Sequence, residues 1–184
     1  MESKDIKIIL KTAFSLFLIC AVSAGMLSII NSVTAPLISQ NSEKAAVEAR
    51  LQVLPEASDF EEISLKETVY YKGISDKKTV GFVFVTSAQG YGGAIEVMTG
   101  ISTDGKITGI NILTINETPG LGMNAKKDSF ISQFIDKSGS LRLIRNKASG
   151  ENTILAITSA TITSKAVTAA VNEALSLYEE IKEG

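Results

Sequence analysis

Residues 12 to 42 carry no charge, and within them Thr12–Ile30 reads TAFSLFLICAVSAGMLSII. No other feature limits the fold so strongly. Nineteen residues rising about 1.5 Å each span roughly 29 Å as a helix, the thickness of a bilayer's hydrocarbon core. Lys4, Lys7 and Lys11 precede the run and the next charge is Glu43. The positive-inside rule then puts the N-terminus in the cytoplasm and everything after about residue 34 outside. The rival reading is a cleaved secretion signal, with Val22-Ser23-Ala24 as the cleavage site. Apolar character persists from Ala24 to Ile30, which favours a retained anchor. Ile19 stands before Cys20 where a lipoprotein cysteine needs a small residue, so Cys20 reads as a small buried apolar group. Ala21, Ala24, Gly25 and Ser28 form a small-residue stripe suited to close approach of another membrane helix, though such residues are common in membrane helices generally.

The rest of the composition removes whole classes of chemistry. The 184 residues contain no His, no Trp and one Cys. A Ser-His-Asp or Cys-His site, bis-His haem ligation, and any Cys-rich zinc or iron–sulfur site within one chain are therefore excluded. Carboxylate spacing gives no metal signature, and no metal ligands are assigned. Net charge is −2, which argues against a nucleic-acid surface or polybasic membrane patch. No GxGxxG follows a strand, so no NAD site is expected. Redox or group-transfer work would need an organic cofactor.

Beyond the apolar run, Ala35-Pro36 is expected to interrupt the helix or mark its exit. Leu37–Leu54 reads as a second helix stopped by Pro55, and 55–66 as a loop or short turns. Strand candidates follow at Val69–Tyr71, Thr79–Ser87, Ala94–Ile101 and Ile107–Ile115, with glycine-rich Gln89–Gly93 and a hairpin turn at Asp104-Gly105 between them. They predict an antiparallel meander. Asn116–Gly122 reads as a permissive loop, Asp128–Ile135 as a short helix, and Leu141–Ile144 and Ile154–Ile157 as weak strands. A last helix is capped at Thr163 or Ser164 and buries Val167, Ala170, Val171, Ala174, Leu175, Tyr178 and Ile181. The expected fold is α+β: an antiparallel sheet with flanking helices, preceded by one transmembrane helix. Its parts are an anchor at 1–34, a helical linker at 35–66 and an outer domain at 67–184.

Thr158-Ser159-Ala160-Thr161-Ile162-Thr163-Ser164 puts five hydroxyls directly before the last helix, where free N–H groups and the helix dipole suit an anion. Taken alone this is a capping segment, and the glycine loops are turns. Together they say more. The hydroxyl run resembles the covalent flavin attachment motif of the FMN-binding domain family, which reads Asp, two variable residues, Ser or Thr, Gly, Ala, Thr. Glu117-Thr118-Pro119-Gly120-Leu121-Gly122 is similar to the family's second signature. Gln89–Gly93, the Asp104-Gly105 hairpin and the N-terminal helix fall in the family's order. Within that family the chain looks closest to the RnfG components of Rnf ion-translocating electron transport complexes, relatives of the NqrC component of the sodium-pumping NADH:quinone reductase.

The resemblance implies FMN joined by a phosphoester to Thr161, installed by a separate flavin transferase from FAD. Thr158, Ser159 and Ala160 would border that bond, and Thr163 and Ser164 would hydrogen-bond the phosphate. Glu117, Thr118, Gly120, Leu121 and Gly122 would line the flavin site. Lys165 reads as solvated, and Tyr70, Tyr71 and Tyr91 as packing. Two positions depart from the motif: Leu155 replaces its Asp and Ser159 its Gly. The implied role is an electron relay between other membrane subunits of the complex, not an enzyme by itself. Two alternatives stay open: a flavin-free assembly subunit of the same fold, and a secreted ligand-binding domain.

Overall fold

The computed structural model describes residues 3–65, 68–146 and 150–183, and divides into two compact units, Met1–Ala46 and Val47–Gly184. Helix α1 runs over Ser3–Val53. Within it, Ala13–Ser32 is the one stretch among the described residues long and apolar enough to cross a membrane. Cys20 lies on this stretch. The break expected at Pro36 is absent. The helix is continuous across this position, from Ser3 to Val53. The segment 35–66 is thus shared between the two units.

In the second unit, five strands form one antiparallel sheet in the order β1-β2-β3-β4-β5: β1 at Asp59–Leu65, β2 at Thr68–Ser75, β3 at Lys78–Gln89, β4 at Ala94–Ser102 and β5 at Ile107–Thr114. The expected meander is present, with one more strand than the sequence suggested. β1 lies in the acidic segment read as a loop. Its pairing with β2, Phe60 opposite Gly73 and Ile63 opposite Tyr70, supplies bonds that side-chain polarity does not advertise. The turn at Asp104-Gly105 is closed by the Gly105 N–H on the Ser102 carbonyl at 3.0 Å.

After β5 the chain forms a 3-10 turn at Gly122–Lys126, the short helix α2 at Asp128–Ile131 and another 3-10 turn at Ser132–Phe134. Strands β6 (Arg142–Ile144) and β7 (Thr153–Leu155) pair in parallel as a separate small sheet. Helix α3 runs over Thr161–Glu183 and packs across β3 and β4. Its apolar face, Val167, Ala170, Val171, Ala174 and Tyr178, is buried against Phe84, Ile95, Val97 and Ile101. This is the main core, and it follows the 3.6-residue period read from the sequence.

The opposite sheet face is covered too, by the end of α1. Val53 and Leu54 are buried with Ala57, Val83 and Met98. The fit depends on glycine at the contact: a Cβ on Gly100 would strike the Val53 carbonyl. Thr108 Oγ1 donates to that same carbonyl, and Asn111 Nδ2 donates to Gln52 Oε1 at 3.0 Å. The Arg50 guanidinium lies 3.5 Å from the centre of the Tyr71 ring. With both faces covered, β4 is buried almost throughout, which explains its continuous rather than alternating apolar pattern.

Candidate functional site

Helix α3 opens three to four residues earlier than its capping residues suggested. The Ser164 N–H already bonds the Ala160 carbonyl at 3.0 Å, and Thr161 is the first helical residue. Ser164 is no N-cap. Its hydroxyl donates to the Ala160 carbonyl at 2.9 Å and accepts the Ile157 N–H at 2.9 Å, tying the incoming segment to the first turn. Just before the helix, Ser159 has φ +66°, in the left-handed region. The chain must reverse there to enter α3 after β7, and a glycine would do so without a Cβ penalty.

Three segments converge on this helix start, and Glu117 fastens them. Its Oε1 accepts the N–H groups of Tyr91 at 2.8 Å and Gly92 at 3.2 Å. Its Oε2 accepts the Thr163 hydroxyl at 3.0 Å. The carboxylate thus joins the Gly90–Gly93 turn and the first turn of α3 to its own loop. Gly122 closes the arrangement, since a Cβ there would press on Glu117 Cβ and Oε2 at 2.6 Å and on Thr163 Oγ1 at 2.8 Å.

A cavity of about 480 Å³ opens here. Glu117, Thr118, Leu121 and Gly122 line one side, and Ser159, Ala160, Thr161, Ile162 and Thr163 the other, with Tyr91 at the mouth. Tyr91 is 75% exposed, Ile162 54% and Leu121 44%, so the rim is apolar and open to solvent. The floor is polar, with Glu117 and Thr163 buried. Among the described residues, no Lys or Arg lines the cavity. Among the described residues no group of three or more His, Cys, Asp or Glu is placed to hold a metal ion. The arrangement offers an apolar slot, a set of hydroxyls and the N-terminus of a 23-residue helix, which suits a planar ligand with a polar tail.

Of the residues singled out in sequence, Glu117, Thr118, Leu121, Gly122, Ser159, Ala160, Thr161 and Thr163 meet at this cavity. Thr158 is exposed and Gly120 has φ +78°, and neither lines it. Ser164 is fully buried, with its hydroxyl engaged as above. Lys165 is exposed and outside the lining. Leu155, at the end of β7, is 38% exposed, and its N–H donates to Gln133 Oε1 at 2.8 Å. Tyr70 is in the core. Tyr91, read as packing, is instead at the cavity mouth. The available signal was an aromatic between glycines: a turn of that composition has no neighbouring side chains under which to bury a ring.

Two family models match the chain: the RnfG N-terminal region over residues 1–53 and the FMN-binding domain over residues 90–176. The chain is 39% identical to the G subunit of the Na(+)-translocating ferredoxin:NAD(+) oxidoreductase complex of Acetobacterium woodii, over 98% of this chain and 99% of that one. It is 35% identical to the G subunit of the proton-translocating ferredoxin:NAD(+) oxidoreductase complex of Clostridium ljungdahlii, over 95% and 94%. Among solved structures, the fold matches the C subunit of the Na(+)-translocating NADH-quinone reductase of Parabacteroides distasonis, with a TM-score of 0.53 and 23% identity over 60% of each chain.

Proposed function

The chain belongs to the family of RnfG components of Rnf complexes and carries that family's FMN-binding domain, and on that premise we propose that it relays electrons through FMN held covalently on Thr161. The observation that carries the proposal is the position of the Thr161 hydroxyl. It belongs to the first residue of α3, partly exposed, on the wall of a cavity sized for a cofactor. The residues fit the group. An apolar rim of Tyr91, Leu121 and Ile162 suits the edge of a planar ring. The hydroxyls of Thr118 and Ser159 suit a ribityl chain, and the helix N-terminus a phosphate.

FMN, when bound, supplies a carrier that takes electrons singly or in pairs. The chain's own residues do the rest. Glu117 holds the Tyr91 turn and the α3 start at a fixed separation. Ala160, Gly122 and Thr163 close the floor against water. Attachment would proceed by attack of Thr161 Oγ on the FMN-side phosphorus of FAD in a separate flavin transferase. The Oγ–P bond forms, the pyrophosphate P–O bond breaks, and AMP departs with the hydroxyl proton.

The apolar stretch Ala13–Ser32 would anchor the chain in the cytoplasmic membrane, with Lys4, Lys7 and Lys11 inside and the second unit outside. A covalent link has a clear use there, since a flavin lost outside the cell has no ready replacement. The partners are the other membrane subunits of an ion-translocating ferredoxin:NAD oxidoreductase complex, as the relatives' names describe for theirs. The test is co-expression with a flavin transferase, then intact mass and in-gel fluorescence beside Thr161→Ala. The expected result is a gain of FMN less water, lost in Thr161→Ala. No adduct, with a transferase active on a control substrate, favours the flavin-free reading, and Leu155 in place of the motif's Asp becomes the reason.

A further inference from the structure

We propose that Glu117 makes this cavity select a flavin by its ring and ribityl chain and discriminate against a free phosphate monoester, so that FMN is retained only as the diester on Thr161. The inference rests on the FMN reading above and concerns the charge of the group the site tolerates.

Two observations carry it. The first is the charge inventory. Among the described residues, Glu117 is the one carboxylate lining the cavity, and no lysine or arginine lines it. The Glu117 side chain is buried, and its two oxygens receive three donors, from Tyr91, Gly92 and Thr163, which is the hydrogen-bond pattern of an ionised acceptor. The second is that the hydroxyls best placed to receive a phosphate are engaged. Thr163 gives its proton to Glu117, and Ser164 is buried with its proton on the Ala160 carbonyl. What favours an anion here is the N-terminus of α3, worth about half a positive charge. Lys165 is exposed on the first turn and is not among the lining residues.

Those charges give a definite ranking. A phosphate monoester carries about −1.5 to −2 at neutral pH. Half a positive charge from the helix does not balance it while a full carboxylate shares the cavity. A diester carries a single charge, and riboflavin carries none. Esterification at Thr161 therefore lowers the ligand's charge as well as tethering it. The unmodified chain should prefer riboflavin to FMN, the reverse of a site built around arginine and phosphate.

The experiment uses the full-length chain in detergent, produced without a flavin transferase, with riboflavin and FMN as probes and flavin fluorescence quenching as the readout. Riboflavin should bind at least as tightly as FMN. In Glu117→Gln, which keeps the side chain's shape, FMN affinity should rise relative to riboflavin by about fivefold, the scale of one like-charge interaction in a solvent-open site. The ratio within each protein cancels any general loosening of the fold. The inference is overturned if FMN binds the wild-type chain more tightly than riboflavin, if riboflavin does not bind, or if Glu117→Gln leaves the ratio unchanged. Covalent loading by the transferase is measured separately, so the attachment reading and this one fail independently.

Discussion

The Thr163 hydroxyl donates to Glu117 Oε2 at 3.0 Å, joining residues 46 positions apart and closing the floor of the cavity. The carboxylate has two further donors, so its removal should be costly. Glu117→Ala would leave the Tyr91 and Gly92 N–H groups and the Thr163 hydroxyl without their acceptor. The expected loss is about 2–4 kcal/mol of stability. Urea unfolding of the detergent-solubilised chain, followed by tyrosine fluorescence, measures it. A loss no larger than that of Thr163→Ala alone would mean that the Tyr91 turn is held by something else.

Ser159 holds φ +66°, and side-chain bulk there should be felt directly. Ser159→Val should cost about 1–2 kcal/mol, because a β-branched residue in the left-handed region crowds its own backbone. Ser159→Gly should be neutral or mildly stabilising, since relief of strain is offset by greater freedom in the unfolded chain. Equal thermal midpoints for the two variants would mean that the turn has relaxed.

Gly122 faces Glu117 and Thr163 with no room for a methyl group. Gly122→Ala should therefore break the Thr163–Glu117 contact and narrow the cavity. Riboflavin binding should weaken about tenfold or more, with a smaller loss of stability. Unchanged binding would place the ligand away from the Gly122 side of the cavity.

The compact unit begins at Val47, because Val53 and Leu54 cover the outer face of the sheet. Leu54→Ala should cost about 2–5 kcal/mol, as expected for a large side chain with no exposure. A chain beginning at Val47 should give dispersed amide NMR signals. One beginning at residue 67 should not, since it lacks both β1 and this cover. Dispersed signals from the shorter chain would show that the outer face needs no cover.

Burial holds the Tyr178 phenol above its usual pKa of 10.0, with Glu179 and Asp104 adding to the rise, and its hydroxyl donates to the Thr103 carbonyl at 2.8 Å. The unfolded chain loses this proton first as pH rises. The phenol's contribution is therefore complete below about pH 10 and declines above it. Tyr178→Phe should lower stability by about 1 kcal/mol at pH 8, with the gap closing toward pH 11. A gap that stays constant over that range would assign the effect to packing alone.

Periodicity and local turn chemistry in the sequence determined most of the secondary structure. Alternation and β-branching marked β2 to β5, Asp104-Gly105 marked their hairpin, and Val167 to Tyr178 marked the buried face of α3. These are local signals, carried by residues a few positions apart. The hydroxyl run and the Glu117–Gly122 loop likewise marked two walls of the cavity. Tertiary structure decided what depends on long-range pairing. β1 exists because β2 offers it an open edge and Phe60 and Ile63 pack against the cores, although Asp59, Glu61 and Glu62 make the segment acidic. The α1 helix passes Pro36 without a break, and its end is part of the domain because the sheet presents glycine where Val53 must approach. Ser164 turns inward to the Ile157 N–H instead of capping, and Thr163 reaches across to Glu117. A side chain's hydrogen-bond partner depends on which distant segment folding brings beside it, and no spacing along the chain encodes that.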